Sequence, residues 1–238
     1  MRIVQNYWII LALVLITAPL LASNDPLEVK ILEKAEIRQL EIRQEGNQVI
    51  LEGQAVLLED KIEAGKLARR ELKQEIVNRI VLLPVKKSDE EISMEIAARF
   101  RKKASRNNIF NDISVQTRNG DVVLTGRVRN AYLADRAEEA AMEVAGVQSV
   151  HNRIEILPVS GHDDRIRANL FRRFRNDTVL SLYFLGAQPS MNIIVDRSRV
   201  ILTGYVISEV ARVRAEHLAR QFPGVLGVEN QIQVVKGT

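Results

Sequence analysis

Residues 122–126 read VVLTG and residues 200–204 read VILTG, so the chain contains nearly the same apolar strand, ending in Thr-Gly, twice. A weaker copy, VILEG, occupies residues 49–53. The three stretches end at glycines that are 73 and 78 residues apart: Gly53, Gly126 and Gly204. Repetition at this period predicts several small units of one fold, arranged in tandem.

The repeat extends on both sides of the glycine. After it, the second and third copies have an amphipathic helical pattern and then Gly-Val-x-x-Val-x-Asn, at residues 146–152 and 224–230. Before it lie two short alternating strands, joined in the second copy by Asn119-Gly120, a typical hairpin turn. Upstream, Ser88-Asp89-Glu90-Glu91 has the form of a capping box that begins another helix.

Each unit therefore has the order helix, strand, strand, helix, strand. The sequence predicts an α+β fold of tandem small αββαβ units, each with two helices packed on one face of a three-stranded mixed sheet. A glycine inside a strand usually marks a bulge or the close approach of a neighbouring element, so the three repeated glycines are interpreted as structural.

The predicted boundaries are a signal peptide at 1–23 and units at 24–85, 86–160 and 161–238. The first unit is degenerate. Its leading segment, Asp25 to about Arg38, is interpreted as a short helix, as no helix at all, or as a strand such as residues 27–32.

The N-terminus has the order of a secretory signal: the basic Arg2, an apolar run over residues 7–17, then small residues. Cleavage is expected near Ala22 or Ser23. The alternative is an uncleaved anchor, but residues 7–22 are shorter than the roughly 20 apolar residues of a spanning helix. Because the chain has no cysteine, disulfides and thiolate chemistry are excluded, and export predicts a bacterial periplasm.

Charge is distributed unevenly along the chain. Residues 161–238 carry 11 basic and 7 acidic side chains, whereas residues 24–85 carry 10 and 12. An anionic partner is therefore expected to dock on the last unit.

The second and third copies share one pattern: a strand that ends in Thr-Gly, an apolar residue two positions later (Val128, Val206), a helix and then Gly-Val-x-x-Val-x-Asn. This pattern resembles the BON domain, named for bacterial osmotically inducible and nodulation proteins. Two good copies and one eroded copy span nearly the whole chain after residue 23. The first copy departs from the pattern at Glu52 and Ala55 and lacks the helix-ending glycine.

The resemblance implies a non-enzymatic periplasmic module without a cofactor. BON proteins are thought to bind phospholipid surfaces or to attach other domains to membranes, and tandem copies to serve envelope integrity or the response to osmotic stress. Because this chain has no cysteine to acylate, it resembles the soluble periplasmic type and not the lipoprotein type.

No catalytic or metal-binding pattern was found in the sequence. The motifs Gly-x-Ser-x-Gly, His-Glu-x-x-His and Gly-x-x-x-x-Gly-Lys do not occur. His217 and His151 stand where the other copy has glutamate, which predicts solvated surface positions. His162-Asp163-Asp164 could be drawn as a metal cluster, but acidic residues at a helix start are already explained by the helix dipole.

The candidate binding site is the helix over residues 165–175, which contains five arginines. Helical spacing places Arg165 and Arg172 opposite its apolar stripe, with Arg175 nearby. The aromatic residues Tyr183 and Phe184 follow it. Guanidinium groups beside such rings suit a peripheral site on an anionic phospholipid surface. In the alternative interpretation, the arginines are a solvated face and the rings pack in the core as an extra strand.

Two further classes of partner were considered. Basic residues with aromatics also occur in nucleic-acid binders, but the export signal argues against nucleic acid, and no small-molecule substrate is expected. The remaining alternative is an adaptor or structural component that recruits an envelope protein through a sheet edge, with no direct lipid binding.

Overall fold

The computed structural model describes residues 26–103, 109–185 and 189–235, so the expected signal peptide lies outside the described residues. The first unit contains α1 (Pro26–Leu32), β1 (Ile37–Glu45), β2 (Gln48–Ala55), α2 (Leu58–Leu72), β3 (Glu75–Asn78) and β4 (Val81–Leu82). The second unit contains α3 (Asp89–Lys103), β5 (Asp112–Arg118), β6 (Asp121–Val128), α4 (Ala131–Met142), β7 (Ser149–Asn152) and β8 (Glu155–Ile156). The third unit contains α5 (Gly161–Arg175), a 3₁₀ helix (Ser181–Phe184), β9 (Met191–Asp196), β10 (Arg199–Val206), α6 (Glu209–Arg220), β11 (Gly227–Asn230) and β12 (Gln233–Val234).

Each unit builds one mixed sheet around the strand that carries the repeated glycine. In the second unit, β5 pairs antiparallel with β6, while β7 and β8 pair parallel with β6 one after the other. The segments β7 and β8 are separated by two residues and together form one interrupted third strand. The first and third units repeat this pattern. The predicted fold class, α+β with tandem αββαβ units, is confirmed.

Each unit has its own hydrophobic core between its helices and its sheet. In the second unit, Val122, Leu124 and Val128 alternate along β6 and are completely buried against the helices. Units of this size bury little surface on their own and are only marginally stable. Contacts between units therefore contribute to the stability of each one.

The leading helix of a unit is tied to the hairpin of the same unit by an aspartate. The carboxylate of Asp89 accepts hydrogen bonds from the backbone N–H groups of Asn119 and Gly120, at 2.8 and 3.0 Å. In the third unit, Asp163 accepts the same two bonds from residues 197–198, at 3.0 and 2.9 Å. Both turns have positive φ angles, so their N–H groups point to one side where a single carboxylate satisfies both.

The capping box of α3 forms as the sequence indicates. The Ser88 hydroxyl accepts from the Glu91 N–H at 3.2 Å, and the Glu91 carboxylate accepts from the Ser88 N–H at 2.8 Å. These reciprocal bonds satisfy N–H groups that have no partner within the helix. They fix the residue at which α3 begins.

The degenerate first unit begins with a short helix, one of the three interpretations that the sequence left open. Leu27 and Ile31 of α1 are buried in the core of this unit. Its second helix, α2, runs for 15 residues and ends at Lys73, which adopts a left-handed conformation with φ of 52°. A lysine thus occupies a helix-ending conformation in which glycine is more common.

Side chains of one unit enter the core of the next. Leu58 and Ile62 of α2 pack against the core of the second unit. Phe110, just before β5, packs against the core of the third unit, and the Ile193 N–H donates to the Ile109 carbonyl at 2.7 Å. Within the described ranges, no helix combines the length and the apolar character needed to cross a bilayer.

Candidate functional site

Helix α5 owes its position to a cap and an apolar stripe. The Ser160 hydroxyl accepts from the Asp163 N–H at 3.2 Å and caps the helix. Ile166, Leu170 and Phe174 recur at helical spacing and are buried in the core of the third unit. The opposite side of α5 is therefore held facing solvent.

Arg165, Arg172 and Arg175 are exposed on this helix. Their hydrogen bonds are local: the Arg165 Nε donates to the Gly161 carbonyl at 3.2 Å, and Arg172 donates to the Asn169 side chain. Within the part of the chain that the structure describes, no carboxylate forms an ion pair with any of the three. Their charges are therefore available to an external anion.

Other arginines of the third unit do form ion pairs. Arg214 pairs with Asp177 at 2.8 Å. Arg167 lies on α5 but is buried, pairs with Asp164 at 2.6 Å and donates to the Val195 carbonyl. The five arginines of residues 165–175 therefore do not form one surface, since Arg167 stabilises the fold and three others face solvent.

The rings of Tyr183 and Phe184 are in the core, which corrects their assignment to the binding surface. Only 5% of Tyr183 and 6% of Phe184 is exposed. The Phe184 ring meets that of Phe171 edge-on with centroids 5.7 Å apart, and the Tyr183 hydroxyl accepts from the Ile207 N–H at 3.3 Å. The alternative of a core position is thus the observed one, although the residues form a 3₁₀ helix and not an extra strand.

The exposed apolar residues of this segment are Leu182 and Leu185, with 47% and 69% of their surface accessible. Leu182 lies on the 3₁₀ helix, and Leu185 directly follows this helix in an extended conformation. The sequence showed the apolar run but gave no signal for which two residues of it face solvent. The Phe184 ring also meets that of Phe174, at 6.0 Å between centroids, so the 3₁₀ helix packs against the C-terminal half of α5.

The two aspartates of the segment His162-Asp163-Asp164, at the start of α5, make contacts that stabilise the fold. Asp163 is buried and binds the hairpin turn, and Asp164 pairs with Arg129 at 2.8 Å as well as with Arg167. His162 is exposed. Among the described residues, no group of three or more His, Asp or Glu side chains is placed to hold a metal ion.

The repeated glycines lie where a neighbouring strand comes close. At Gly126, φ is 121°, and a Cβ would lie 2.8 Å from the Asp112 carbonyl carbon and closer still to its oxygen. At Gly204, φ is 103°, and a Cβ would lie 3.0 Å from the Ser190 carbonyl carbon and closer to its oxygen. At Gly53, φ is 155° and the nearest atom is in a side chain, Ile37 Cγ2 at 2.8 Å.

The solved structures that are similar to the chain include two of one protein, CdsD. One is the C-terminal domain of CdsD, the structural protein of the type III secretion system of Chlamydia trachomatis. It is 15% identical, the match covers 88% of this chain and 95% of that chain, and the TM-score is 0.25. A second CdsD structure has 17% identity, 89% and 91% coverage, and the same TM-score. A TM-score of 0.25 does not establish a shared fold.

No curated protein matches the chain. The family model of the BON domain matches twice, over residues 88–158 and 162–236, which together make up more than half of the 238 residues. The two matched segments are the second and third units, which carry the Gly-Val-x-x-Val-x-Asn motif. The chain therefore belongs to the BON domain family.

Proposed function

We propose that this chain is a non-enzymatic periplasmic protein that binds anionic phospholipid surfaces through the third unit. The binding surface consists of Arg165, Arg172 and Arg175 on α5, of Leu182 on the 3₁₀ helix and of Leu185 just after it. The observation that carries the proposal is that three exposed arginines of α5 have no carboxylate partner among the described residues, and that two exposed leucines follow α5 in the chain.

Both halves of this surface have a physical role at a bilayer. Each arginine near an anionic surface contributes about 1 kcal/mol, an attraction that salt screens. The leucines are placed to enter the boundary between headgroups and acyl chains, as the apolar face of an interfacial helix does. The excess of basic over acidic side chains in residues 161–238 also supports docking of the third unit on an anionic surface.

The proposed location follows from the first 23 residues, which have the order of a secretory signal. In the periplasm the surface would meet the phospholipid of the envelope. Membership of the BON family supports a role in envelope integrity or in the response to osmotic stress.

A protein partner is the second candidate, and a different surface favours it. Ile207, just before α6, and Val210 and Val213 on α6 are large exposed apolar residues on one side of the third unit. Apolar side chains that share a helix face suit contact with another protein. In this role the chain is an adaptor or structural component of an envelope assembly.

Sedimentation with vesicles separates the two candidates. The wild-type chain should sediment with phosphatidylglycerol-containing vesicles at low salt, less at high salt, and not with phosphatidylcholine vesicles. Changing Arg165, Arg172 and Arg175 to Glu should abolish sedimentation while the circular dichroism spectrum is kept.

The matched control carries Lys34→Glu, Lys66→Glu and Arg69→Glu, which change the net charge equally at exposed positions of the first unit. It should still sediment with the anionic vesicles. Equal loss in both variants would show a net-charge effect only, and unchanged binding of the α5 variant would remove these arginines from the site.

A further inference from the structure

Helix α6 has an apolar strip on its outer side, formed by Val210 and Val213. These valines have 67% and 53% of their surface exposed. Residues three apart on a helix are neighbours on its surface, so the two side chains form one strip. The inner side of α6 is buried in the core of the third unit through four residues: Ala211, Ala215, Leu218 and Ala219. Among the described residues, no hydrophobic core includes either valine.

The same helix position is an interface in the first unit. Counted from the repeated glycines Gly53 and Gly204, Val213 corresponds to Ile62 of α2. Ile62 packs against the core of the second unit, where α2 contacts α4. In the second unit the equivalent residue is Asp135, which is exposed. The position is therefore apolar where the helix packs on another unit and charged where it faces solvent, and Val213 has the apolar form.

Two charged residues flank the strip in the order of a parallel coiled-coil pair. With Val210 at heptad position a and Val213 at position d, Glu209 is at g and Arg214 is at e. When two such helices pack in parallel, the a and d residues meet their counterparts, and each g residue faces an e residue of the other helix. Glu209 of each copy then faces Arg214 of the other copy. The outer side of α6 is thus complementary in shape and charge to itself.

Both flanking side chains are accessible to a second chain. The exposed fraction is 58% for the Glu209 side chain and 44% for the Arg214 side chain. Glu209 pairs with Arg212 on the same helix, and Arg214 pairs with Asp177 at 2.8 Å. A carboxylate and a guanidinium group each have capacity for further hydrogen bonds. Because the existing pairs already restrict both side chains, a contact between chains loses less conformational entropy.

We propose that two copies of this chain form a dimer by parallel packing of their α6 helices about a two-fold axis. The same patch of each copy then meets itself, as in most symmetric dimers. This proposal rests on the second candidate function, contact with another protein through this side of the third unit, and names a second copy as the partner. The strip is short, so the association is weak and depends on concentration.

Sedimentation velocity of the purified full-length chain without vesicles tests the dimer. The fraction of dimer should rise as the concentration of the chain is raised from about 5 to about 500 µM, a range that suits a small interface. The double variant Val210→Gln, Val213→Gln keeps the net charge and good helix formers, and it should stay monomeric with an unchanged circular dichroism spectrum.

The matched control carries Val29→Gln and Met94→Gln, at exposed apolar positions of α1 and α3. It should form dimers as the wild type does. A wild-type chain that stays monomeric throughout this range would overturn the proposal. Dimers that persist equally in the α6 double variant would show that the contact lies elsewhere, which also overturns it.

Reversing one charge tests the pairing across the two-fold axis. Glu209→Lys places a positive charge opposite Arg214 of the second chain and should weaken dimerisation about tenfold. Asp135→Lys changes the net charge equally at an exposed position of α4 and should leave dimerisation unchanged. Equal weakening by both substitutions would indicate a net-charge effect and contradict the pairing of Glu209 with Arg214.

Cross-linking tests the parallel orientation. Because the chain has no cysteine, Val210→Cys creates a single thiol. Parallel packing brings position 210 of the two copies face to face, at a separation that a disulfide can bridge. Mild oxidation should link this variant into dimers and should leave Met94→Cys mostly monomeric. Equal cross-linking of the two variants would indicate random collision and contradict the arrangement.

The dimer and the membrane surface can be tested separately. The double variant Val210→Gln, Val213→Gln should still sediment with phosphatidylglycerol-containing vesicles. The charge-reversed α5 variant should still form dimers, because Arg165, Arg172 and Arg175 lie outside the α6 strip. Loss of both activities in either variant would contradict the assignment of two separate surfaces.

Discussion

Gly126 and Gly204 occupy positions at which any side chain would collide with a neighbouring backbone. Their φ angles of 121° and 103° are also strained for residues other than glycine. We expect Gly126→Ala or Gly204→Ala to destabilise the chain by about 2 kcal/mol or more, since the backbone of a paired strand has to move. Urea denaturation followed by circular dichroism measures the change in midpoint.

Two other glycines serve as controls. A Cβ at Gly161 would meet nothing within 4 Å, so Gly161→Ala should leave the midpoint nearly unchanged. Gly53→Ala should cost less than Gly126→Ala, because the Ile37 side chain can rotate away whereas a carbonyl group in a strand cannot. A midpoint for Gly126→Ala equal to that of Gly161→Ala would show that the repeated glycine is not required by packing.

Burial raises the pKa of the Asp112 carboxyl group above its ordinary value of 3.8, although the Thr203 side chain and Arg127 act in the opposite direction. Because the folded pKa is raised, the contribution of this group to stability is present at low pH and is lost as pH rises through the folded pKa. Asp112→Asn should therefore stabilise the fold near neutral pH and have little effect below about pH 3.

Urea denaturation of Asp112→Asn at both pH values measures this dependence. The control is Asp135→Asn, a substitution at an exposed position of α4, which should change the midpoint little at either pH. A destabilised Asp112→Asn variant at neutral pH would mean that the charged carboxylate is needed for its hydrogen bond.

The interrupted third strand of each unit depends on one asparagine. Asn230 ends β11, donates to the Arg212 carbonyl on α6 at 3.0 Å and accepts from the Ile232 N–H at 3.2 Å. Asn152 and Asn78 make the same pair of bonds in the other units. One side chain thus connects the helix to the strand and bridges the break between the two strand segments.

We expect Asn230→Ala to cost about 1–3 kcal/mol, since the helix carbonyl and the strand N–H both lose a partner. The control Gln231→Ala alters an exposed side chain and should change the free energy of unfolding by no more than about 0.5 kcal/mol.

The hydrogen bond from Asn230, followed by that from Arg220, lowers the pKa of Glu216. In Asn230→Ala the Glu216 pKa, measured by NMR titration, should therefore rise toward its ordinary value of 4.5. Unchanged stability together with an unchanged pKa would contradict this role.

Periodicity was sufficient to predict the elements that recur in all three units. The alternation at Val122, Leu124 and Val128 predicted a strand with one buried face, and the spacing of Ile166, Leu170 and Phe174 predicted the buried stripe of α5. Among the described residues, the third unit alone has a 3₁₀ helix, so the repeat carried no information about it. An apolar run of four residues is compatible with a strand or a helical turn, and only packing determines which side chains are buried.

At the scale of the whole molecule, the sequence predicted separate units but not how they join. Phe110 precedes β5 of the second unit, yet its ring packs edge-on against Phe171 of the third. Contacts between units do not recur along the sequence and leave no local sequence pattern, because they join residues that are far apart in the chain.

The exposure of the arginines of the proposed binding surface was predictable, because helical spacing alone places Arg165 and Arg172 opposite the apolar stripe. Ion pairing was not predictable from spacing. Helical spacing places Arg167 about 140° around the helix from Arg172, but only the fold shows that Arg167 pairs with Asp164 and donates to the Val195 carbonyl. The exposure of Leu182 and Leu185, the apolar half of the proposed surface, likewise became evident only from the packing of the 3₁₀ helix and the residue after it.

The most direct test of membrane binding through the third unit places a polarity-sensitive fluorophore on single thiols of this cysteine-free chain. On Leu185→Cys, the emission should shift to the blue when phosphatidylglycerol-containing vesicles are added and should return when salt is raised. On Val210→Cys, on the side proposed for a protein partner, the emission should not change. A blue shift at Val210→Cys with none at Leu185→Cys would contradict the proposed membrane-binding surface.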